Sequence, residues 1–407
     1  MAHFVTKISD IIEFNPRETI ARKQVCKKVP MEYLQPFTRQ ISGFEEAPYA
    51  GGTKFRNNDT IMARITPCLE NGKTAFVKGF AENEVVFGST EYIVMRAIPG
   101  ASDPVFIYYL ATSPSFREVA IKSMVGSSGR QRVQQDVLEN LELVLPDYET
   151  QVRVGKVLSA FDDKIELNTQ INHNLEEQAK CLVKSWFVDF EPYGGQIPDS
   201  WHEITLSEIA DFIGGYSYKG AELQPSSCAM ATIKNFDRTG GFKLDGYKEI
   251  IPSDKLKDSQ KVELFDILVA HTDLTQKAEV IGNAEMVLSK SGYDEIIMSM
   301  DLVKVLPKHG ISRFVLAALL RTDQFKDHAL GYVNGTTVLH MSKKALPAFT
   351  LYFPEKFSEL SEISCMLEAI YKKIAQNIEE SRSLVKLRDT LLPKLMSGEI
   401  DVSEVEI

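Results

Sequence analysis

The sequence predicts an α+β fold built as a tandem pseudorepeat, in which two globular domains are each followed by a long helix and the helices pair as an antiparallel coiled coil. Three observations predict it. The stretch "GSSGRQRVQQDVLENLELVLP" (126–146) is echoed by "GTTVLHMSKKALPAFTLYFP" (335–354). Two long segments carry apolar residues at alternating spacings of three and four. Short β-rich runs such as "EYIVMRA" and "DLVKVLP" are punctuated by Gly, Asn and Asp.

The repeat extends beyond the echoed stretch. Phe116 stands ten residues before Gly126 and Phe325 ten before Gly335, so both pairs are 209 residues apart. Upstream, "DTIMARIT" from Asp59 resembles "DILVAHTD", and "KISDIIEF" near the start resembles "TLSEIADF". We therefore predict a first globular domain over 1–146, a central helix over 147–192, a second globular domain over 193–354, and a distal helix with a C-terminal tail over 355–407.

Length and composition favour a multidomain protein of the cytoplasm. The 407 residues are 44% apolar, enough for several cores. Five scattered cysteines without a CxxC pair indicate a reducing compartment and no structural zinc. No apolar run approaches the ~20 residues of a membrane span, and the N-terminus lacks the pattern of a signal peptide.

The net charge of −10 argues at face value against a partner as acidic as DNA. Its distribution changes that conclusion. The predicted globular domains are almost neutral, with 17 basic against 16 acidic residues in 1–146 and 17 against 20 in 193–354. The predicted helical segments are acidic, with 5 against 9 in 147–192 and 7 against 11 in 355–407. We expect these helical segments to contact protein rather than phosphate.

Each acidic segment has one helical seam. The seam positions of the two segments are 209 residues apart in every pair. They are Val154, Leu158, Phe161, Ile165, Asn168, Asn172, Leu175, Ala179, Leu182 and Trp186, matched by Ile363, Leu367, Ile370, Ile374, Asn377, Ser381, Leu384, Arg388, Leu391 and Leu395. The central polar positions, Asn168 and Asn172 against Asn377 and Ser381, form a polar layer that would specify register.

Two arrangements fit these seams. Each helix could pack on its own domain, or the two could form one antiparallel coiled coil, the arrangement that we favour. At 1.5 Å per residue, a helix of about 40 residues is roughly 60 Å long, enough to hold two domains a fixed distance apart.

Polar loops in the globular halves suit nucleic-acid recognition, because Lys and Arg suit phosphates and guanine edges, and Asn suits adenine edges. The structural alternative is a generic loop surface, with Gly/Ser turns that cap helices and solvated basic residues. The first-half candidates are Lys54, Arg56, Arg64, Thr66, Asn71, Lys73, Arg130 and Arg132. The second-half candidates are His271, Thr272, Thr275, Gln276, Thr336, Thr337, His340 and Lys343.

Motifs for chemistry are missing from the sequence. "ENGKT" has Pro67 where a phosphate-binding P-loop requires Gly. We find no adenine-methylation loop, no HxxxH or acidic metal pattern, and no Ser/His/Asp or Cys/His nucleophile arrangement. We therefore expect no catalysis by this chain.

Three segments resemble those of the DNA specificity subunits of type I restriction-modification systems. They are "GGTKFRNNDTIMARITPCLENGK" (51–73), "SWFVDFEP" (185–192) and "LLPKLMSGEI" (391–400). The resemblance covers essentially the whole chain. It implies two target recognition domains, each recognising half of a bipartite asymmetric site in double-stranded DNA. It also implies a coiled coil that sets the gap and docks two methylation subunits.

The resemblance implies that catalysis and cofactors belong to partner subunits. S-adenosylmethionine would bind the methylation subunits, and ATP with Mg²⁺ the restriction subunits, so we expect none on this chain. Two alternatives stay open: a coiled-coil scaffold whose domains bind protein instead of DNA, and an enzyme whose site the sequence does not reveal.

Overall fold

The computed structural model of this protein describes residues 3–308, 310–336 and 338–402. The chain forms two compact units. Unit 1 comprises Met1–Glu166 and Ser381–Ile407, and unit 2 comprises Leu167–Glu380. Each unit thus contains one globular part and a segment of each long helix, whereas the domain boundaries expected from the repeat stay a prediction.

The globular part of unit 1 contains short strands and three short helices among its described residues. The strands are β1 His3–Lys7, β2 Ile12–Phe14, β3 Val25–Val29, β4 Glu45–Pro48, β5 Lys54–Phe55, β6 Thr60–Ala63, β7 Thr74–Phe76, β8 Val86–Gly88, β9 Tyr92–Ala97 and β10 Glu142–Pro146. The helices are α1 Pro104–Thr112, α2 Pro114–Lys122 and α3 Gln135–Glu139. The first long helix, α4, follows over Tyr148–Phe187.

The globular part of unit 2 repeats this order with four additional short elements among its described residues. Its strands are β11 Trp201–Thr205, β12 Ala210–Gly214, β13 Cys228–Ala231, β14 Lys248–Glu249, β15 Lys261–Val262, β16 Ile267–Ala270, β17 Thr272–Asp273, β18 Ala284–Met286, β19 Glu295–Met298, β20 Leu302–Pro307, β21 Val333–Asn334, β22 Leu339–Met341 and β23 Thr350–Pro354. Its helices are α5 Leu206–Ile209, α6 Arg313–Leu319, α7 Asp323–Leu330 and α8 Ala345–Ala348. The four additional elements are α5, β17, β21 and β22. The second long helix, α9, spans Ser361–Met396.

The two four-stranded sheets have the same strand order in both units, and unit 2 adds a three-stranded sheet, β17-β22-β21. The order β2-β9-β6-β7 in unit 1 corresponds to β12-β20-β16-β18 in unit 2, and β4-β3-β8-β5 corresponds to β14-β13-β19-β15. In each second sheet one pair is parallel, β3 with β8 and β13 with β19. The first and last strands also pair antiparallel in each unit, β1 with β10 and β11 with β23. The α+β tandem repeat expected from the sequence is confirmed.

The long helices pair antiparallel within each unit. In unit 1, Asp162 of α4 and Arg388 of α9 form a buried ion pair. In unit 2, the Asn377 side chain donates to Asn172 Oδ1 at 2.8 Å, and Asn168 donates to Glu380 Oε2 at 2.9 Å. Residues nearer the start of α4 contact residues nearer the end of α9. The two helices of this coiled coil therefore run in opposite directions, as predicted.

The packed seams bury the apolar positions that the spacing predicts. Val154 and Leu158 of α4 share the main core of unit 1 with Leu395 of α9. In unit 2, Trp186 joins Ile363 and other apolar residues of both helices in the main core. Each globular part therefore rests on a two-helix segment, and burial of these side chains supplies the hydrophobic stabilisation of that contact.

Each globular part contains two short helices in direct succession, α1 and α2 in unit 1 and α6 and α7 in unit 2. Ser113 is extended (ψ 149°) between α1 and α2, because the following Pro114 disfavours the α conformation of the residue before it. In unit 2, Thr322 is likewise extended and its hydroxyl accepts from the Phe325 N–H at 3.4 Å, capping α7. Both breaks lie at matching positions of the repeat.

Within the described residues, every helix is too short or too polar to cross a bilayer.

Candidate nucleic-acid interface

The polar loops of unit 1 lie side by side. Ile65 forms an antiparallel bridge with Arg132, so the segment 64–73 adjoins the segment 126–133. The Thr66 N–H donates to the Gln131 carbonyl at 3.0 Å, and the Gln131 N–H donates to the Thr66 hydroxyl at 3.0 Å. We call these two segments the unit 1 loop pair. Candidates separated by some 60 residues in the sequence thus share one surface.

Unit 2 brings its polar loops together in the same way. Strand β17 pairs antiparallel with β22, which places Thr272 opposite His340. The Gln276 side-chain amide donates to the Thr336 carbonyl farther along the same junction. We call residues 271–283 with 335–336 and 338–343 the unit 2 loop pair. The two loop pairs occupy equivalent places in the repeat.

A glycine begins the second segment of each loop pair for a steric reason. Gly126 and Gly335 have φ of 137° and 120°, values that side chains disfavour. A Cβ at Gly126 would lie 2.8 Å from the Arg130 carbonyl oxygen, and one at Gly335 would lie 2.2 Å from that of Val338. The repeated Gly thus allows a tight turn that returns the chain to its partner segment.

Among the unit 1 candidates, Arg130 and Asn71 have exposed side chains. Arg132 is also exposed but binds Glu91 through two nitrogens at 2.6–3.1 Å. Arg132 lowers the pKa of Glu91, against the opposing effect of burial, so this pair is ionised at neutral pH. Arg130 is the basic residue of this loop pair with the most freedom to reach a phosphate.

Several unit 1 candidates already serve the protein's own backbone. Lys54 donates to the Glu18 carbonyl and Lys73 donates to the Met31 carbonyl at 2.9 Å. Arg56 lies 3.6 Å from the Glu18 carboxylate but keeps 43% of its side chain exposed. The Arg64 side chain donates to the Val133 carbonyl at 3.3 Å. These basic groups line the surface in fixed orientations, and their assignment as DNA contacts stays a prediction.

In unit 2 the candidates divide by exposure. Gln276, Thr336, His340 and Lys343 are exposed, and Thr337 lies outside the described residues. Thr272 is buried and its hydroxyl donates to Asp301 at 3.1 Å, while the Thr275 hydroxyl donates to Asp273 at 2.9 Å. His271 is half-buried between the two segments of the loop pair. The exposed members therefore form the accessible part of this surface.

A cation at the equivalent position of each unit attaches the loop pair to a helix, and neither cation was among the candidates predicted from the sequence. Arg117 of α2 donates to the carbonyls of Leu69 and Glu70 at 3.2 and 2.7 Å. Lys326 of α7, exactly one repeat later, donates to backbone carbonyls of the corresponding loop, including that of Ile281 at 2.7 Å. Each cation fixes its loop to a helix. Both positions carry a basic residue and lie 209 residues apart, so the repeat in the sequence could have identified them.

An exposed aromatic residue beside the unit 1 loop pair was also missed. Phe37 is 61% exposed in the left-handed region, with φ 54°. Its N–H donates to the Gly72 carbonyl at 3.0 Å, next to Asn71, and its ring lies 5.3 Å from the Arg117 guanidinium carbon. Its position depends on a tertiary contact with a loop 35 residues away, so neither spacing nor composition indicates it.

The polar candidates of the coiled coil differ in burial and in the unit to which they belong. Asn168 and Asn377 are buried and Asn172 is half-buried, and all three lie in unit 2, joined by the hydrogen bonds given above. Ser381 is half-buried and begins the α9 segment that belongs to unit 1. Their role in specifying register stays a prediction.

The described residues contain no group of three or more His, Cys, Asp or Glu side chains that would suit a metal ion.

Comparison with known proteins agrees with this geometry. Residues 4–177 match the family described as "Type I restriction modification DNA specificity domain". The chain is 26% identical to the type I restriction enzyme HindI specificity subunit of Haemophilus influenzae, over 89% of this chain and 90% of that protein. Along most of its length this chain is therefore similar to type I restriction enzyme specificity subunits.

A further relative is the MjaIX specificity subunit of Methanocaldococcus jannaschii, 25% identical over 74% of this chain and 70% of that protein. The fold of this chain is similar to that of a type I restriction-modification S subunit from M. genitalium, with a TM-score of 0.57 and 16% identity, covering 97% of this chain and 96% of the other. The loop pairs thus lie within a fold already known among such subunits.

Proposed function

We propose that this chain is a specificity subunit that recognises a bipartite, asymmetric sequence in double-stranded DNA, one half-site per globular domain, within a type I restriction-modification complex. The observation that carries the proposal is the loop pair that recurs at the equivalent place in each unit with different side chains. A common frame with different exposed residues is what two different half-sites require.

Recognition at each loop pair divides into two tasks. Exposed cations such as Arg130 and Lys343 suit phosphates, which position the domain on the duplex without identifying its sequence. Polar side chains held at the junctions, among them Arg64 and His271, suit base edges in the major groove. A mismatched base pair costs ~1–3 kcal/mol in such interfaces, so each half-site alone discriminates weakly. Joining two half-sites in one chain raises discrimination through effective concentration.

The chain acts without catalysing a reaction, as a DNA-binding component alongside other subunits. We propose two methylation subunits as its direct partners, docked on the acidic coiled coil, and restriction subunits in the complete complex. S-adenosylmethionine, ATP and Mg²⁺ are assigned to those partners, and none to this chain. The target adenine would leave the duplex inside a partner, while the recognition domains hold the DNA on either side. We place the complex in the cytoplasm, where its DNA substrate lies.

The proposal is tested by sequencing methylated adenines in DNA from cells that express this chain with the methylation subunit of its system. Cells that express the methylation subunit alone are the control. We expect a new asymmetric bipartite motif that appears only with this chain. Assembly of the complex without any new motif would overturn the proposal.

The alternative of a protein-binding scaffold makes a different prediction. A DNA-binding complex loses affinity steeply as salt increases, because binding releases counterions from phosphates. A scaffold would show no salt-sensitive binding of DNA even when its partners are present. Titration of the purified complex with duplexes that carry the motif, at several salt concentrations, separates the two.

A further inference from the structure

Arg64 and His271 occupy the same position in the two units. They are 207 residues apart, as are Asp59 and Asp266 at the start of the preceding strands, and each directly follows its core strand, β6 or β16. The Arg64 N–H donates to the Glu91 carbonyl at 2.9 Å. The His271 N–H donates to the Asp301 carbonyl at 2.8 Å. The equivalence thus appears in the hydrogen bonding as well as in the sequence.

The carbonyls of these residues complete the match. The Arg64 carbonyl accepts from the Val133 N–H at 2.9 Å, and the His271 carbonyl accepts from the Met341 N–H at 2.9 Å. Each residue is therefore attached on one side to the core sheet and on the other to the second segment of its loop pair. A base-recognising side chain needs a backbone fixed in this way, because a small displacement weakens directional hydrogen bonds.

Each side chain also has a nitrogen that the protein does not satisfy. Arg64 Nε and His271 Nε2 are buried and lack a hydrogen-bond partner among residues 3–308, 310–336 and 338–402. A buried polar atom without a partner costs stability, and the bond from Arg64 Nη2 to the Val133 carbonyl leaves Nε unsatisfied. Both residues are half-buried and thus remain partly accessible at the junction of the loops.

Their chemistry differs in a way that suits two different half-sites. Arg64 is a permanent cation with parallel donors, the geometry that guanine O6 and N7 accept. Burial first, and then the neighbouring His340 and Lys343, lower the pKa of His271, while Asp301 opposes them. A neutral imidazole has one donor and one acceptor nitrogen, so it can hydrogen-bond a single base edge.

We propose that Arg64 and His271 are the equivalent specificity-determining residues of the two recognition domains, each hydrogen-bonding a base edge in its own half-site. This inference rests on the proposed function, and it assigns guanine to Arg64. The exposed cations beside them, Arg130 and Lys343, contact phosphates. They contribute affinity but do not distinguish one base from another.

The test uses Arg64→Gln and His271→Gln in the complete methylation complex, with methylated motifs determined by sequencing. Arg64→Gln is expected to relax one position of one half-site, lowering discrimination there by between about fivefold and about 150-fold. His271→Gln is expected to relax one position of the other half-site. Arg64→Lys keeps the charge but loses the parallel donors, so it should relax the same position.

Matched controls remove one cation from the same loop pairs. Arg130→Gln and Lys343→Gln are expected to lower methylation at all sites and to leave the motif unchanged. Assembly of every variant with the methylation subunit, checked by size-exclusion chromatography, excludes misfolding, and variants to Asn replace any that fail to assemble.

Two outcomes have distinct meanings. A wild-type motif that persists unchanged in the variants at 64 and 271 overturns the inference and leaves the proposed function intact. Absence of any motif with the wild-type chain in an assembled complex overturns both. Relaxation of two positions within the same half-site also contradicts the inference, since the residues belong to different domains.

Discussion

At the scale of single residues, the protein's own hydrogen bonds decide which polar side chains are available to a ligand. Residue type made Lys54, Lys73 and Thr272 candidates for DNA contact. Each of them, however, donates to a backbone carbonyl or a carboxylate of its own unit. Arg130 and Lys343 remain exposed. Two residue-scale features outside these candidates lead to predictions: the glycine of each turn and the exposed Phe37.

Gly335→Ala is expected to disrupt the unit 2 loop pair. The new Cβ would collide with the Val338 carbonyl oxygen, and the positive φ disfavours any side chain. A cost of about 1 kcal/mol or more on forming the loop corresponds to about a fivefold loss of DNA affinity. Binding of the assembled complex to its motif measures this. Gly220→Ala, in open space at an ordinary φ, is the control, and equal affinity of the two variants would contradict the prediction.

Phe37→Ala is expected to weaken DNA binding with little effect on stability. The ring is exposed beside Asn71, and a phenyl ring can contact a thymine methyl group. We expect a loss of about 1 kcal/mol, about fivefold in affinity, and an unchanged unfolding midpoint. Phe44→Ala is the matched control, because Phe44 is also exposed in unit 1 but packs on Phe80 at 5.7 Å. The same loss in both variants would refute a specific role of Phe37.

At the scale of elements, the two long helices carry different polar groups at related positions. In unit 1, Asp162 is buried between Arg388 and Tyr109, whose hydroxyl donates to it at 2.6 Å. The position of Asp162 corresponds to Tyr371 in unit 2, which is buried near Arg321. A buried charge needs its own partner. These differences therefore favour the observed pairing of the α4 and α9 segments over one in which the segments exchange partners.

Breaking the buried pair by Arg388→Met is expected to cost about 3–5 kcal/mol of unfolding free energy, because Asp162 would stay buried without its cation. Asp162→Leu should also destabilise, since it removes the acceptor of Tyr109. The double variant should recover part of the loss, because neither charge is then left alone. Chemical denaturation of the four proteins gives the coupling energy, and purely additive effects would contradict the assigned pair.

At the scale of the whole molecule, function follows from duplication with divergence. Both units have the same strand order in their four-stranded sheets and the same junction of loops, yet they present Arg64 in one and His271 in the other. Most of the net charge of −10 falls in the helical segments, and the globular parts are close to neutral. We therefore propose that recognition relies on the placement of a few cations and polar groups, and that the acidic helices contact protein partners.

Replacing residues 193–354 by a second copy of residues 1–146 is expected to produce a motif whose two halves have the same sequence. Each domain would then present the unit 1 loop pair to DNA. Sequencing of methylated adenines in cells with the chimaera and the methylation subunit checks this. Persistence of the original second half-site would show that the second domain does not recognise it.

The two helical seams followed from the sequence because they depend on short-range periodicity, and the tandem repeat followed because matching segments recur 209 residues apart. Seam positions such as Leu158, Asn168 and Leu367 are buried as their spacing predicts. The break between the two short helices of each unit follows from a local rule only in unit 1, where Pro114 restricts the residue before it.

The use of each polar side chain followed only from the folded chain. The partners of Lys73, Arg132, Thr272 and Arg388 lie 42, 41, 29 and 226 residues away, beyond any periodic pattern. Hydrogen bonds and burial depend on distances of a few ångströms between such segments, which tertiary packing sets. For this reason residue type and spacing located the two proposed recognition surfaces, whereas the fold decided which of their side chains are exposed.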